Sequence, residues 1–280
     1  MTRTIPGRIG LIGNPVEHSL SPVFQQAAFD SLGIPVTYEL WQTTDEQIPE
    51  RIAAIRSGEI FGANVTVPHK EGFAAAVDRP SEVARRAGAV NTVMLDDEGE
   101  LYGDNTDAYG FIQPLQERGF PFNESDALIL GAGGASRGVV VALLDAGIRS
   151  VTIANRTLAR AEAMARDLAD TRIATCNLAE AADHAAGAAL AVNATALGWH
   201  DEAPVGPEFF ERLPKDAIAY DLTYRDTPYL QAAAGAGLQT IDGLPMLVHQ
   251  GARSFELWTG ERAPVDLMMA AAVKARDSRA

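Results

Sequence analysis

Apolar positions along the chain switch between a two-residue rhythm and a three-to-four-residue rhythm, dividing the sequence into short strands alternating with helices. Residues 8–13, ending at Asn14-Pro15, read as a first strand. Ser21, followed by Pro22, opens a helix with Val23, Ala27 and Ala28 on one face and Gly33 as its stop. A strand at 37–41, a helix at 45–57 with Ile48, Ile52 and Ile55 at helical spacing, and a strand at 62–67 follow. In the last of these, Val65 and Val67 alternate with polar neighbours as in a half-buried strand. Pro68 ends the ladder, and Lys70 sits just past the stop.

Helical segments at 72–77 and 81–87 lead into strands at 89–95 and 101–103, joined by the polar turn 96–99. Asn105-Thr106-Asp107 then opens a helix to about Arg118, and Gly119-Phe120-Pro121 marks a hinge. A new unit begins with the apolar strand 127–130, the loop Gly131-Ala132-Gly133-Gly134-Ala135-Ser136, a helix at 139–146 and a strand at 151–154. Strands recur at 189–192, 217–221 and 238–241 with helices between, and helices at 245–259 and 265–274 complete the pattern. Such alternation implies parallel pairing in open α/β sheets, whose ligands sit at the carboxyl ends of the strands. Ser19, Ser21, Thr66 and Lys70 fall at such ends, and 280 residues suffice for two domains.

Composition narrows the class. Hydrophobic residues make up 47% and charged residues 21%, enough for a sizeable core and unlike a disordered chain. A net charge of −14 speaks against nucleic acid and anionic membranes as partners. It leaves room for small anionic ligands, which need only a few local cations and backbone N–H groups. Residues 1–13 hold only Arg3 and Arg8 as basic groups and no long apolar run, and the weakly polar stretch 185–199 is short and interrupted by Asn193. No signal peptide or transmembrane helix is expected, which points to a cytoplasmic protein. The lone Cys176 rules out an intramolecular disulfide, and His18, His69, His184, His200 and His249 show no metal-ligand spacing, so no metal is expected.

The chemistry-bearing residues cluster in two groups. The glycine loop follows an apolar strand and opens a helix, as dinucleotide binding requires: Gly131 permits the tight turn, Gly133 a close backbone approach to a pyrophosphate, and the helix N-terminus stabilises its charge. Ser136 replaces the third glycine of that fingerprint. The next strand ends in Asn155, Arg156 and Thr157, with Arg160 one turn later and no acid, which favours NADP over NAD. Arg156 and Arg160 also fit as two solvated helix-end arginines. Ser19, Ser21 and Thr66 in the first half, together with Gln250, are uncharged hydrogen-bonding groups suited to a polyhydroxy ligand or a carboxylate, although Ser21 equally fits as a plain helix cap. Lys70 and Asp107 are the cation and anion beside strand ends there; paired, they could relay a proton.

Taken in order, Ser19-Leu20-Ser21-Pro22, Asn64-Val65-Thr66-Val67-Pro68-x-Lys70, Gly88-Ala89-Val90-Asn91-Thr92, Asn105-Thr106-Asp107, the glycine loop, Asn155-Arg156-Thr157 and Met246-Leu247-Val248-x-Gln250 resemble the shikimate dehydrogenase family from about Gly10 to Thr259. The resemblance implies two open α/β domains with a cleft between them: residues 1–106 plus 243–280 for substrate and a Rossmann-like NADP domain at 107–242. It also implies reversible reduction of 3-dehydroshikimate to shikimate, a small-molecule substrate, and a monomer or homodimer. Lys70 and Asp107 would be the catalytic pair, Ser19 and Ser21 would hold the carboxylate, and Asn64, Thr66, Asn91, Tyr224 and Gln250 would bind hydroxyls or line the ring. Gly131, Ala132, Gly133, Gly134 and Ala135 would take the pyrophosphate, Asn155, Arg156, Thr157 and Arg160 the 2′-phosphate, and Thr195, Leu222, Gly243 and Met246 would lie toward the nicotinamide. Alternatives are a quinate/shikimate or aminoshikimate dehydrogenase and, from another class, a catalytically silent NADP or metabolite sensor, which intact Lys70 and Asp107 disfavour. The sequence departs from the family in a short turn, Arg225-Asp226, before Thr227-Pro228, in His69 where the family often has an aromatic or other residue, and in Ala108 where glycine is common.

Overall fold

The computed structural model describes residues 7–200 and 202–279; Arg3 lies outside them. The chain divides into two compact units, Met1–Gly110 with Leu247–Ala280, and Phe111–Met246. The first contains β1 (Arg8–Gly13), α1 (Ser21–Ser31), β2 (Tyr38–Gln42), α2 (Ile48–Arg56), β3 (Ile60–Val65), α3 (Lys70–Ala76), β4 (Arg79–Pro80), α4 (Glu82–Ala87), β5 (Thr92–Leu95), β6 (Leu101–Asp104) and the start of α5 (Thr106–Glu117). The second continues with β7 (Asp126–Leu130), α6 (Gly134–Asp145), β8 (Ser150–Asn155), α7 (Leu158–Leu168), β9 (Ile173–Asn177), β10 (Ala188–Asn193), α8 (Pro207–Arg212), β11 (Ile218–Asp221), α9 (Pro228–Gly235), β12 (Gln239–Ile241) and the first turn of α10 (Gly243–Thr259). The rest of α10, with α11 (Val265–Asp277), returns the chain to the first unit.

In the first unit the sheet order is β2-β1-β3-β5-β6-β4. Here the purely parallel expectation fails: β1 pairs in parallel with β2 and β3, but β5 is antiparallel to both β3 and β6. For β5 and β6 the reason is local, since the turn after Leu95 is too short for a crossover and permits only a hairpin. One core gathers Ile12, Trp41, Ile55, Ile60, Val65, Phe73, Val93 and Leu101, with Ile48 and Ile52 of the α2 stripe packed at its edge. Each such side chain contributes about 1.5–3 kcal/mol by leaving water.

The second sheet is wholly parallel, in the order β12-β11-β10-β7-β8-β9. Strand order therefore reverses between β7 and β10, which makes that point the place where a doubly wound sheet opens a crevice for a ligand. Its core includes Leu128, Leu130, Phe209, Phe210, Tyr229 and Leu230. Strand β9, which the hydrophobic pattern did not reveal, has Cys176 as its one buried residue.

Three element ends differ from the sequence reading. Strand β3 stops at Val65, and Val67 is 68% exposed, so the two valines do not share a buried face. The chain has already turned, with His69 N–H donating to Thr66 O. Helix α6 starts at Gly134 rather than near Val139, leaving a tighter glycine loop. Ser21 is not the cap of α1: Leu20 takes that place without a side-chain bond, and Ser19 Oγ accepts the Ser21 N–H at 3.1 Å.

One acid group braces the first sheet. Both terminal nitrogens of Arg56 donate to Asp78, at 2.6 and 2.8 Å, and Leu101 N–H adds a third bond at 2.9 Å. First the guanidinium and then the backbone donor hold the Asp78 carboxyl down to about 2. Because this lies below the ordinary unfolded value of about 4, the stabilisation is present above pH ~4 and lost as pH falls toward ~2. The Asp78→Asn variant should therefore lose less stability than the parent between these pH values in urea titrations. Parallel losses would show that Asp78 does not contribute to acid unfolding.

Candidate active site

Within the first unit a buried polar network runs from Tyr38 on the edge strand β2, through Asn64 on β3, to a half-open lysine. Tyr38 OH donates to Asn64 Oδ1 at 2.8 Å, and burial pushes the Tyr38 phenol well above its ordinary value, which keeps it a neutral donor. Asn64 is thereby oriented: its Nδ2 faces Asn91 O at 3.1 Å, Thr92 Oγ1 at 3.1 Å and Ser254 Oγ at 2.9 Å. Asn91 repeats the pattern one step further out. Its Oδ1 accepts the Thr106 N–H at 2.7 Å, while Nδ2 donates to Asp107 Oδ1 at 2.9 Å and Gln250 Oε1 at 3.2 Å. Asp107 Oδ2 then accepts Lys70 Nζ at 2.5 Å.

Burial falls along this path: Asn64 and Asn91 are 4% and 2% exposed, whereas the Lys70 and Asp107 side chains are 28% and 21% exposed. The ammonium thus ends at accessible space while its partner is fixed from behind. Lys70 is the first residue of α3 and Asp107 lies in the first turn of α5. A positioned amine with a carboxylate to take or return its proton is suited to general acid–base work. Of the residues singled out in sequence, Asn64, Lys70, Asn91, Asp107 and Gln250 converge in one hydrogen-bonded set. Thr66 is half-buried just after β3, while Ser19 and buried Ser21 lie at the start of α1. Tyr224 belongs to the second unit.

His69, beside Lys70, is buried and not in the network. Its Nε2 lies 2.6 Å from Thr43 O and must be the donor, since a carbonyl only accepts. Nδ1 lies 3.2 Å from Asp45 Oδ1, within ion-pair range but without a hydrogen bond. The residue anchors the N-terminus of α3 to the loop after β2.

In the second unit Gly131, Asn155, Thr195, Leu222 and Gly243 of the residues read as a cofactor site lie at or just past the carboxyl ends of β7, β8, β10, β11 and β12. Gly131 has φ +113°, and a Cβ there would come 3.1 Å from Ala194 O, so both conformation and space call for glycine. Ser136, fully buried, closes the loop by donating to Gly131 O at 2.7 Å, which explains a serine at the third fingerprint position. A Cβ on Gly133 would meet nothing, so protein packing leaves open space at the point where an approaching phosphate needs it. Gly133 caps α6 without a side-chain bond, leaving the first N–H groups of the helix available to an anion. Arg156 and Arg160 are exposed around the end of β8, and neither is paired with an acid among the described residues. Asn155 Nδ2 bonds Thr157 O at 2.9 Å. These features fit a dinucleotide carrying an extra phosphate. Leu222 and Gly243 touch, since a Cβ on Gly243 would fall within 2.1 Å of Leu222 O, and Met246 follows on α10.

Residues 11–93 match the family model for the shikimate dehydrogenase substrate binding domain, 115–215 that for shikimate/quinate 5-dehydrogenase, and 243–273 the shikimate 5′-dehydrogenase C-terminal domain. A shikimate dehydrogenase (NADP(+)) of Symbiobacterium thermophilum is 42% identical over 284 residues, covering 98% of this chain and 96% of that protein. The chain belongs to the shikimate dehydrogenase family. Among solved members of the family, shikimate 5-dehydrogenase of Thermus thermophilus, crystallised with NADP(H) and shikimate, is 41% identical with a TM-score of 0.86, covering 96% of this chain and 99% of that one. A second relative, the shikimate dehydrogenase (NADP(+)) of Geobacillus kaustophilus, is 40% identical, covering 95% of this chain and 97% of that protein.

Tyr38 and Ser254 were not singled out in sequence, and Thr92 and Thr106 only as members of quoted motifs without a role, though all four hold Asn64 and Asn91 in place. Their only signal is a polar residue at an otherwise buried strand or helix position. The short turn that departs from the family has its own anchor, with Arg225 Nε and Nη2 donating to Gly198 O at 3.1 and 2.7 Å. Truncating Asn64 to Ala would leave Tyr38 OH without a partner and remove the amide's bonds to Asn91 O, Thr92 Oγ1 and Ser254 Oγ, although Asn91 O keeps the Val65 N–H at 2.8 Å; an orphaned buried group costs about 1–3 kcal/mol. Urea unfolding should show a loss of about 2–4 kcal/mol for Asn64→Ala and a smaller one for Tyr38→Phe. Equal, near-zero losses would mean that water satisfies these groups.

Proposed function

We propose that the protein is an NADP-dependent shikimate dehydrogenase reversibly reducing 3-dehydroshikimate to shikimate, in the formation of aromatic amino acids. The observation that carries this reading is the Lys70 Nζ–Asp107 Oδ2 contact at 2.5 Å, held by Asn91 and opening to accessible space. Reducing a carbonyl to a hydroxyl takes a hydride and a proton. When bound, NADPH supplies the hydride. Lys70 delivers the proton to the nascent hydroxyl oxygen and recovers it in the reverse direction, while Asp107 keeps the ammonium aimed. Asn64, Thr66, Asn91, Tyr224 and Gln250 bind the ring hydroxyls, and the Ser19 and Ser21 hydroxyls take the substrate carboxylate.

For the cofactor, Gly131 to Ala135 and the α6 N-terminus hold the pyrophosphate, and Asn155, Arg156, Thr157 and Arg160 receive the 2′-phosphate. Thr195, Leu222, Gly243 and Met246 flank the nicotinamide. The assignment of residues 1–106 plus 243–280 to substrate and 107–242 to NADP belongs to this proposal; residues 107–110 cluster with the first unit and 243–246 with the second. The cytoplasmic setting and a monomeric or homodimeric state belong to it as well. A second reading, quinate oxidation with NAD, draws support from the shikimate/quinate family model; the absence of an acid at the end of β8 speaks against it.

Initial rates for shikimate and quinate, each with NADP and NAD, test both readings in the parent and in Arg156→Ala. Shikimate with NADP should be fastest. The variant should raise the KM for NADP roughly 10- to 100-fold, as loss of a charge-assisted hydrogen bond implies, with little change for NAD. Faster quinate turnover would move the protein to the second reading, and equal effects on both cofactors would remove Arg156 from the phosphate site.

A further inference from the structure

The second unit holds a carboxylate that the proposed chemistry does not use. Asp221, the last residue of β11, is fully buried, and no Lys, Arg or His pairs with it among the described residues. Such a group is costly to bury unless several donors satisfy it. Three neutral donors do so: Asn193 Nδ2 at 2.9 Å and Thr227 Oγ1 at 2.8 Å on Oδ2, and Thr223 N–H at 2.9 Å on Oδ1.

An ionised carboxylate only accepts, so the amide of Asn193 must turn its NH2 toward Asp221 and its oxygen away. That oxygen receives both Thr195 N–H at 3.1 Å and Thr195 Oγ1 at 2.7 Å. The Thr195 hydroxyl proton is thereby committed, leaving its oxygen to accept. Residues 194 and 195 are also the ones that press against Gly131 at the crevice. The orientation of one buried amide is thus passed from the end of β11, through the end of β10, to the wall of the glycine loop.

We propose that Asp221 is a positioning residue: its acceptor-only carboxylate fixes the Asn193 amide and, through it, Thr195 on the nicotinamide side of the cofactor site. This rests on the reading that the second unit binds NADPH with Thr195 toward the nicotinamide.

Three variants test it, read by steady-state kinetics, by Thr195 amide hydrogen exchange in NMR, and by thermal unfolding. Asp221→Asn sets its NH2 against either the Asn193 NH2 or the Thr223 N–H, so the acceptor that holds Asn193 is lost or strained; it should lower kcat/KM for NADP by about tenfold or more, leave the KM for shikimate unchanged, and weaken Thr195 amide protection. Pairing it with Asn193→Asp exchanges donor and acceptor: the carboxylate now at position 193 accepts from the amide now at position 221 and still accepts from Thr195. This double variant should recover both kinetics and protection to within a few-fold. Thr227→Val removes a bond to Asp221 without touching the Asn193 amide, so it should lower the Tm yet keep Thr195 protected.

Parent-like kinetics and protection in Asp221→Asn would overturn the proposal, as would a folded double variant that recovers neither. Loss of Thr195 protection in Thr227→Val would overturn it too, by showing general loosening. If Asp221→Asn does not fold, the double variant decides, and its own failure to fold counts against the proposal. A parent enzyme that turns over no shikimate with NADP would refute the functional reading, while the Thr195 exchange would still decide the role of Asp221.

Discussion

A buried amide side chain has one donating end and one accepting end, so every neighbour must match it or be left unsatisfied. In the first unit two such amides, Asn64 and Asn91, transmit this matching outward from Tyr38 to Asp107 and Lys70. Because Tyr38 donates to Asn64, Asn64 must donate to the Asn91 carbonyl; because Thr106 N–H occupies Asn91 Oδ1, Asn91 must donate to Asp107. Flipping any amide would break several bonds together, and a fully connected network of this kind is rigid. Its rigidity is useful only at its end, where the lysine leaves the protein interior.

The second unit uses the same logic with different residues. There a wholly parallel sheet supplies the crevice, and Gly131, Ser136 and the uncapped start of α6 shape its floor. The Asn193 amide, oriented by Asp221, shapes its wall. In both units a strand end places a polar group at the sheet edge and a buried partner from a distant stretch of chain decides which way it points.

That division explains what the sequence made legible. Lys70, Asp107 and the glycine loop stood out because each follows a strand or opens a helix, and such positions depend on local pattern. Partners such as Tyr38 and Ser254 did not, since Ser254 lies 190 residues from Asn64 and nothing local marks the meeting. The antiparallel β5 and the early end of β3 were missed for a related reason. Period alone does not fix strand direction, and Val67 keeps the alternating rhythm after the backbone has turned away. Residues 107–110 cluster with the first unit because α5 runs on past Asp107 without a break in its pattern, so nothing local marks the change of unit.

The most direct test of the account is the turnover of Lys70→Ala with shikimate and NADP, measured beside its NADP affinity and its thermal midpoint. Loss of a positioned proton donor should reduce kcat by about 10²- to 10⁴-fold, with NADP affinity and folding close to the parent. Parent-like turnover in a folded Lys70→Ala variant would contradict the account, because the network beneath Lys70 would then serve no proton transfer.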